Sequence, residues 1–505
     1  MHSARLFAQN GILDNSFGTS GKVTTSVGTG NGEGWGLVIQ DDWSIVVGGY
    51  EMNGVDSNFA LTRYTPNGIL DGTFGNNGKV ITSMGPGNSI IHSLALQPDG
   101  KILAAGWTWN GTDNDFAIAR YNTNGSLDSS FGNNGKVTTA IGAGNDKGTS
   151  VVMMSDWTIV VGGSSFNGQD DDFVLVRYLA NGTLDNNFGT NGKVITPIGT
   201  GNDNINAIAI QPDSSIVAAG TVSNGVSNSF GLARYHSNGT LDNSFGTNGK
   251  VVTPGGISDD EGYSLVLQPD GKIVVGGYSN NGVNDDFGLV RYLPNGNQDS
   301  SFGVNGKVTT AIGSSNEAVY SLLVQPDGKL VAAGSSLFGG INRYALVRYN
   351  VDGSLDNSFG ANGKVTTVMS VSNNEAYAVA LQPDGKIVAA GYANDSIKEN
   401  FSVARYISGL NLGILDFSAS NNYLLIYPNP VAQNATLEYT LSKDETVSIR
   451  LIDMQGRIVK TLISEQNLEA GEHKQAIQFP DGLASGAYLI TISSPSGHLS
   501  VQVIK

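Results

Sequence analysis

Cysteine is absent from this chain of 505 residues, which removes disulfides, zinc–thiolate sites and thiol nucleophiles together. Long hydrophobic runs are missing too. Nothing approaches the ~20 consecutive apolar residues of a membrane span, so no transmembrane segment is expected. Positive charge is scarce, with 28 Lys and Arg against 44 Asp and Glu and a net charge of −16. A nucleic-acid partner is therefore not expected, because phosphates call for a basic face. The five histidines, His2, His92, His236, His473 and His498, never stand at metal-ligand spacing. No window carries a 3.6-residue apolar period, so helix is nearly excluded. Glycine is what the chain has in excess: 68 residues, about twice the usual share of roughly 7%.

The glycines belong to an internal repeat. A Leu-Asp-x-Ser-Phe-Gly-like motif places its phenylalanine at Phe17, Phe74, Phe131, Phe188, Phe245, Phe302 and Phe359, every step being 57 residues. An Arg-Tyr pair keeps that step from Arg63 to Arg405. A Gln-Pro-Asp-Gly-Lys turn lies between the anchors, clearest at Gln97–Lys101, Gln268–Lys272, Gln325–Lys329 and Gln382–Lys386. The first, third and fourth copies depart from it, as at Gln40-Asp41-Asp42-Trp43-Ser44. Seven copies without an insertion or deletion point to a geometrically closed assembly.

Each copy holds four short strand candidates; in the second they are His92–Gln97, Lys101–Gly106, Asp115–Asn122 and Lys136–Thr139. Pro-Asp-Gly supplies a tight hairpin turn, where glycine takes positive φ without strain. The expected fold is all-β: a seven-bladed β-propeller of four-stranded blades, spanning 11–407. The polar Lys-Val-Thr-Thr strand suits the outer edge of a blade, and the small apolar Ser93-Leu94-Ala95-Leu96 suits the crowded channel. The seventh copy ends after three strands, so Lys22–Ser26 is expected to supply its outer strand and close the circle. Closure hides the sheet edges that template aggregation, and a monomer is expected.

The motifs Leu127-Asp128-Ser129-Ser130-Phe131-Gly132-Asn133-Asn134-Gly135-Lys136-Val137, Gln-Pro-Asp-Gly-Lys-Ile and Phe116-Ala117-Ile118-Ala119-Arg120-Tyr121 resemble the delta-60 repeat family of bacterial surface and secreted proteins. The resemblance covers 11–406, implies a propeller and brings no established activity.

After Tyr406 the repeat stops. Ser408–Asn422 has the composition of a linker, and 423–505 show a different pattern. Strands are expected at Ala435–Leu441, Thr446–Asp453, Arg457–Leu462, His473–Phe479, Gly486–Ser493 and Leu499–Ile504, as a small antiparallel β-sandwich. Tyr427-Pro428-Asn429-Pro430, Asp453-x-x-Gly456-Arg457 and Ser485-Gly486-Ala487-Tyr488-Leu489-Ile490 are similar to the type A C-terminal sorting domain. That resemblance implies the type IX secretion machinery as a partner, passage through the outer membrane, and a secreted or cell-surface location. Residues 1–10 admit two readings: the end of a signal peptide, from Arg5-Leu6-Phe7-Ala8, or a degenerate repeat aligned at Arg5.

Catalytic constellations are not found. No serine stands in a Gly-x-Ser-x-Gly context with a matched histidine, and the Gly-x-Gly-Asn runs at Gly28–Asn31, Gly142–Asn145 and Gly199–Asn202 lack a following helix and a phosphate-binding lysine. Those runs suit crossover loops between blades. Asp113 with Asp115, Asp170-Asp171-Asp172 and Asp285-Asp286 are expected in one inter-strand loop of different blades, as a solvated acidic rim; calcium is the rival reading. Arg120 with Asp128 is expected to be a structural charge pair recurring in every blade. Trp107, Trp109, Phe166, Asp171 and Asp285 fall at the end whose loops vary between copies, and form the candidate ligand face. The expectation is an exported, non-catalytic binding or scaffold module with an extracellular glycan or protein ligand and no cofactor. The alternative is a secreted propeller enzyme acting on glycans through acidic residues at the channel mouth.

Overall fold

Short runs of Val, Ile, Ala and aromatic residues, punctuated by Gly, Asn and Asp, fold into antiparallel strands, four to a blade. In the second blade they are Ser89–Leu96, Ile102–Trp109, Asn114–Tyr121 and Lys136–Thr139, from channel to rim. The computed structural model describes residues 10–256, 258–410 and 424–504, apart from 428–430, 432, 442, 454–457, 481–482, 484–485 and 495–496. Six blades are continuous in sequence. The seventh joins Asn374–Leu381, Ile387–Asn394 and Glu399–Tyr406 to the N-terminal strand Lys22–Thr25, with Lys22 opposite Ala404 and Thr25 opposite Phe401. The inner strand of the first blade, Gly32–Ile39, has Ser89–Leu96 on one side and Asn374–Leu381 on the other, so the circle is closed.

Three sets of staples recur at the repeat step and close across the chain ends. In the first set each Arg-Tyr arginine pairs with the Leu-Asp carboxylate, from Arg63–Asp71 at 2.7 Å to Arg405–Asp14 at 2.8 Å. The guanidinium lies over the motif phenylalanine, Arg120 at 4.6 Å from the Phe131 centroid and Arg405 at 4.8 Å from that of Phe17. It also donates to a carbonyl of the next blade: Arg120 to Ala180 at 2.6 Å, Arg348 to Ser408, and Arg405 across the closure to Pro66. Ser408 thus belongs to the ring, a correction to its expected place in the linker; residues 411–422 of that linker lie outside the described residues.

In the second set the outer-strand lysine donates to the preceding blade, Lys136 to Ser83 O and Lys22 to Val368 O, both at 3.0 Å. In the third, a crossover-loop amide or carboxylate accepts the backbone N–H that opens the previous blade's third strand. Asn88 takes it from Ser57 at 2.9 Å, and Asn31 from Glu399 at 3.1 Å. The Gly-x-Gly-Asn runs are these crossover loops, as expected, and buried Asp203 holds one of them by accepting the N–H groups of Ile198 and Gly199 at 2.8 Å.

The lysine of Gln-Pro-Asp-Gly-Lys adds a second cation to the Arg–Asp pair, as with Lys101 on Asp128 at 3.0 Å and Lys386 on Asp14 at 3.3 Å. Burial works to raise the Asp128 carboxyl, but the Ser130 hydroxyl, Lys101 and Arg120 together hold it well below the usual range. Copies one, three and four place Ser44, Thr158 and Ser215 at the lysine position, so their turns lack that cation. Asn10 already stands in repeat register, accepting from Gly360 as Asn67 accepts from Gly18. Both readings of 1–9 lie outside the described residues.

The C-terminal region forms two sheets. One orders Leu424–Tyr427, Asn434–Leu441 and Gly471–Gln478; the other orders Ile458–Leu468, Glu445–Asp453, Ala487–Ser494 and Gly497–Ile504. A single core that includes Leu437, Val447, Ile449, Leu451 and Ile490 unites them. The six expected strands are present, and Leu424–Tyr427 is an additional one, which the Pro428-Asn429-Pro430 run beside it masked in the sequence.

Candidate binding site at the channel mouth

Every inner strand breaks its ladder once. The register against the second strand skips one residue: Trp35, His92, Thr149, Asn206, Tyr263, Tyr320 and Tyr377 in blades one to seven. A β-bulge of this kind re-aims one side chain without ending the strand. It also dictates the partner strand. A Cβ on Gly49, Gly106, Gly277 or Gly391 would fall 1.7–1.8 Å from the carbonyl oxygen two residues before the bulge, so only glycine fits there. Each of the seven bulge residues is half-buried and follows a buried residue. This interrupted alternation is why the expected inner strand began at His92 and not at Ser89.

Five of the seven are aromatic and touch in series. Ring centroids are 4.5 Å apart for His92 and Trp35, 4.9 Å for Trp35 and Tyr377, 5.0 Å for Tyr377 and Tyr320, and 5.5 Å for Tyr320 and Tyr263. Thr149 and Asn206 complete the circle and are turned into its wall, donating to Ile205 O at 2.5 Å and Gly262 O at 2.7 Å. The aromatics therefore form a crescent along blades five, six, seven, one and two.

Carboxylates stand two residues before three of the bulges. Glu33 accepts from Tyr50 Oη at 2.6 Å and Trp35 Nε1 at 3.1 Å; Glu261 accepts from Tyr263 Oη at 2.6 Å and Asn228 Nδ2 at 3.1 Å. Glu375 accepts from Asn342 Nδ2 at 2.6 Å and Tyr392 Oη at 3.3 Å. Among the described residues none of the three has a Lys, Arg or His in ion-pair contact. Burial, opposed by the Tyr50 hydrogen bond and reinforced by the neighbouring Glu399, pushes Glu33 up to about 7. Burial and the fields of Glu375 and Glu33 hold the Tyr377 hydroxyl neutral, far above its ordinary value. At the His92 end of the crescent the character changes: Lys147 stands two residues before Thr149, and burial assisted by Lys147 takes His92 down to about 4.

The candidate ligand face divides on this geometry. Trp107 belongs to the channel, donating from Nε1 to His92 Nε2 at 3.1 Å. Asp171 and Asp285 open third strands at the same mouth; burial and Asp170 with Asp172 raise the Asp171 carboxyl against the pull of Lys147. Trp109 and Phe166 end second strands on the outside of the mouth, each 37% exposed. The acidic rim needs correction. Asp115, Asp172 and Asp286 lie within strands and are buried, accepting Asn110, Asn167 and Asn281 Nδ2 at 2.8–2.9 Å, so they lock hairpins and are not solvated. Among the described residues no group of three or more His, Asp or Glu could hold a metal ion. Hollows also lie elsewhere, between the outer parts of adjacent blades, one of about 730 Å³ beside Lys22 and Lys364 and one of about 600 Å³ beside Leu184 and Lys193, and stapling lysines line them.

The bulge column was missed in the sequence. Its signal was the column itself: Trp, His, Thr, Asn, Tyr, Tyr, Tyr at a step of 57, preceded by Gly, Ala, Val or Ile, followed by Gly, Ser or Ala, and answered by a fixed glycine.

In the C-terminal region Tyr427 is exposed, donates to Glu438 and lies under Lys474, 5.2 Å from its ring centroid. Tyr488 is buried in the core, and Gly486 precedes its strand. Pro428, Asn429, Pro430, Gly456 and Arg457 lie outside the described residues.

A closed ring of seven four-stranded antiparallel blades, entered by a channel with its own side-chain lining, is a seven-bladed β-propeller. The family model described as "Domain of unknown function (DUF5122) beta-propeller" matches residues 40–74, 97–131, 155–188, 211–245, 268–302, 325–359 and 382–408. That described as "Secretion system C-terminal sorting domain" matches 425–505. The chain belongs to this propeller family and carries the sorting domain, which marks it for export by the type IX system to the cell surface or beyond. No curated protein matches the chain. Among solved structures, Sqt1 from Chaetomium thermophilum is 14% identical, with 73% of this chain and 82% of that one covered at a TM-score of 0.40. Polysaccharide lyase Uly1 is 12% identical over 74% and 90%, also at 0.40, and sucrose-6-phosphate hydrolase from Lactobacillus gasseri 10% identical over 70% and 86%, at 0.30. Likeness of this degree carries no functional argument. Among the described residues no helix is long and apolar enough to cross a membrane.

Proposed function

We propose that this exported propeller binds a ligand at its channel mouth and does not transform it. The observation that carries the reading is where the repeats differ. The staples repeat almost unchanged from blade to blade, whereas the bulge residues run from Trp to Thr, so a symmetric scaffold displays an asymmetric lining.

A second reading, a glycan-active enzyme, draws support from Glu33, whose raised pKa suits a general acid. Its surroundings favour binding. Both Glu33 oxygens already accept, from Tyr50 and Trp35, and Glu399 shares a hydrogen bond with it. A glycosidase pair instead faces across a gap of roughly 5–10 Å that the sugar and its water occupy. The purified full chain incubated with oligosaccharide and peptide panels is expected to release no product. Turnover abolished in both Glu33→Gln and Glu399→Gln would overturn the binding reading.

A further inference from the structure

The crescent presents aromatic faces and carboxylates together. Trp35, Tyr377, Tyr320 and Tyr263 form a continuous wall, and Glu33, Glu261 and Glu375 stand one layer above it. Glu261 and Glu375 accept only from hydroxyl and amide donors, and Glu33 accepts from Tyr50 and Trp35 and shares a hydrogen bond with Glu399, so none of the three has a cationic counterpart among the described residues. An aromatic face is negative at its centre and attracts a cation, more strongly where water is excluded. Neighbouring carboxylates add to that field, and the chain's net charge of −16 extends it into solution. Anionic ligands are repelled by this mouth, and a neutral sugar gains nothing from the unbalanced charge.

We propose that the crescent binds an alkylammonium group, a compact positive charge on a carbon chain such as a lysine side chain or a polyamine carries. The ammonium sits over the Trp35–Tyr377 faces and is shared by Glu33 and Glu375, while the carbon chain packs along Tyr320. Lys147, close enough to act on His92 at one end of the crescent, leaves that end unsuited to the same group and gives the site a direction. The inference rests on the binding reading and specifies its ligand class.

Calorimetric titration of the full chain tests it with four probes: Nα-acetyl-lysine methylamide, its uncharged norleucine counterpart, cadaverine, and neutral cellohexaose. The lysine compound is expected to bind at least tenfold more tightly than the norleucine compound and to weaken with added salt. Glu375→Gln and Tyr377→Phe, both close in shape to the native residues, keep the fold testable. Glu375→Gln should weaken binding about tenfold, and Tyr377→Phe, which keeps the aromatic face, should change it little. Trp157→Ala, at the exposed turn of the opposite end, should leave it unchanged. Cadaverine binding alone would assign a polyamine, and lysine-compound binding alone a peptide side chain; either supports the proposal. Equal affinity for the norleucine compound, or no response to either cation, would overturn it. Cellohexaose binding without cation binding would do so while leaving the binding reading intact, and consumption of any probe would overturn both.

Discussion

Asp14→Ala removes one carboxylate from the seam of the ring. Asp14 is 6% exposed and pairs with Arg405 at 2.8 Å and Lys386 at 3.3 Å, so the substitution takes a carboxylate from two cations, one of them almost fully enclosed. Breaking such a pair costs about 3–5 kcal/mol. Arg405 keeps Gln382 Oε1 at 3.0 Å, the Pro66 carbonyl and the Phe17 face, which argues for about 3 kcal/mol, the low end. Asp128→Ala in the second blade removes the matching carboxylate from Arg120 and Lys101 and should cost about 3 kcal/mol or more. The two differ in connectivity: Asp128 is held by continuous chain on both sides, whereas Asp14 sits on the N-terminal segment that leads into the closing strand. Hydrogen–deuterium exchange on the intact chain separates them. In Asp14→Ala the amides of Glu399–Tyr406 should exchange about two orders of magnitude faster, 1.4 kcal/mol being tenfold. In Asp128→Ala those of Asn114–Tyr121 should change much less. Equal exchange in the two variants, or an Asp14→Ala protein indistinguishable from the parent, would refute closure by the N-terminal strand.

Gly391→Ala puts a methyl group against the Glu375 carbonyl and should cost about 1–3 kcal/mol in chemical denaturation, while Gly72→Ala, in open space, should stay within about 0.5 kcal/mol. Glu33, raised to about 7 with Glu399, Tyr50, Trp35, Tyr377 and Tyr392 around it, lowers stability as pH rises from its unfolded value near 4.5, where only the unfolded chain ionises. His92, lowered to about 4, has the opposite sign: its contribution is full above about 6.5 and is lost as pH falls towards 4. Relative to the parent, Glu33→Gln should therefore gain stability as pH rises from 4.5 to about 7, and a difference between the two proteins that does not change with pH would contradict the assignment. Residues 423–505 fused to a folded cargo with an N-terminal export signal should carry it to the surface of a type IX-secreting bacterium. Cargo left in the periplasm would oppose that transfer.

Most of the scaffold was legible because its determinants are local and repeated. Lys136–Thr139 was placed to the residue, the Arg120–Asp128 pair was read from spacing alone, and the missing strand of the last blade led directly to Lys22–Thr25. What escaped was the outcome of one extra residue per inner strand. A bulge at His92 breaks the period-two pattern by which strands are recognised, so Ser93–Leu96 alone stood for the channel surface and the aromatic lining went unseen. The Asp clusters misled for a related reason. Carboxylates that fold back onto Asn side chains inside a hairpin have the same composition as carboxylates in water, and only the register Thr108–Asp115 and Ser165–Asp172 separates the two. Trp107 was chosen for its loop-end position, and its actual place follows from its hydrogen bond to the bulge residue of the same blade.

The most direct test of a propeller that binds at its channel is to take whichever ligand a glycan and peptide array selects and titrate it against two variants. Trp35→Ala with Tyr377→Ala opens the crescent, and Trp109→Ala with Phe166→Ala strips the outer rim. The structure predicts that affinity falls at least tenfold in the first, stays within about twofold in the second, and that the ligand is recovered unaltered. Affinity lost with the rim and kept without the crescent, or a ligand returned cleaved, would contradict it.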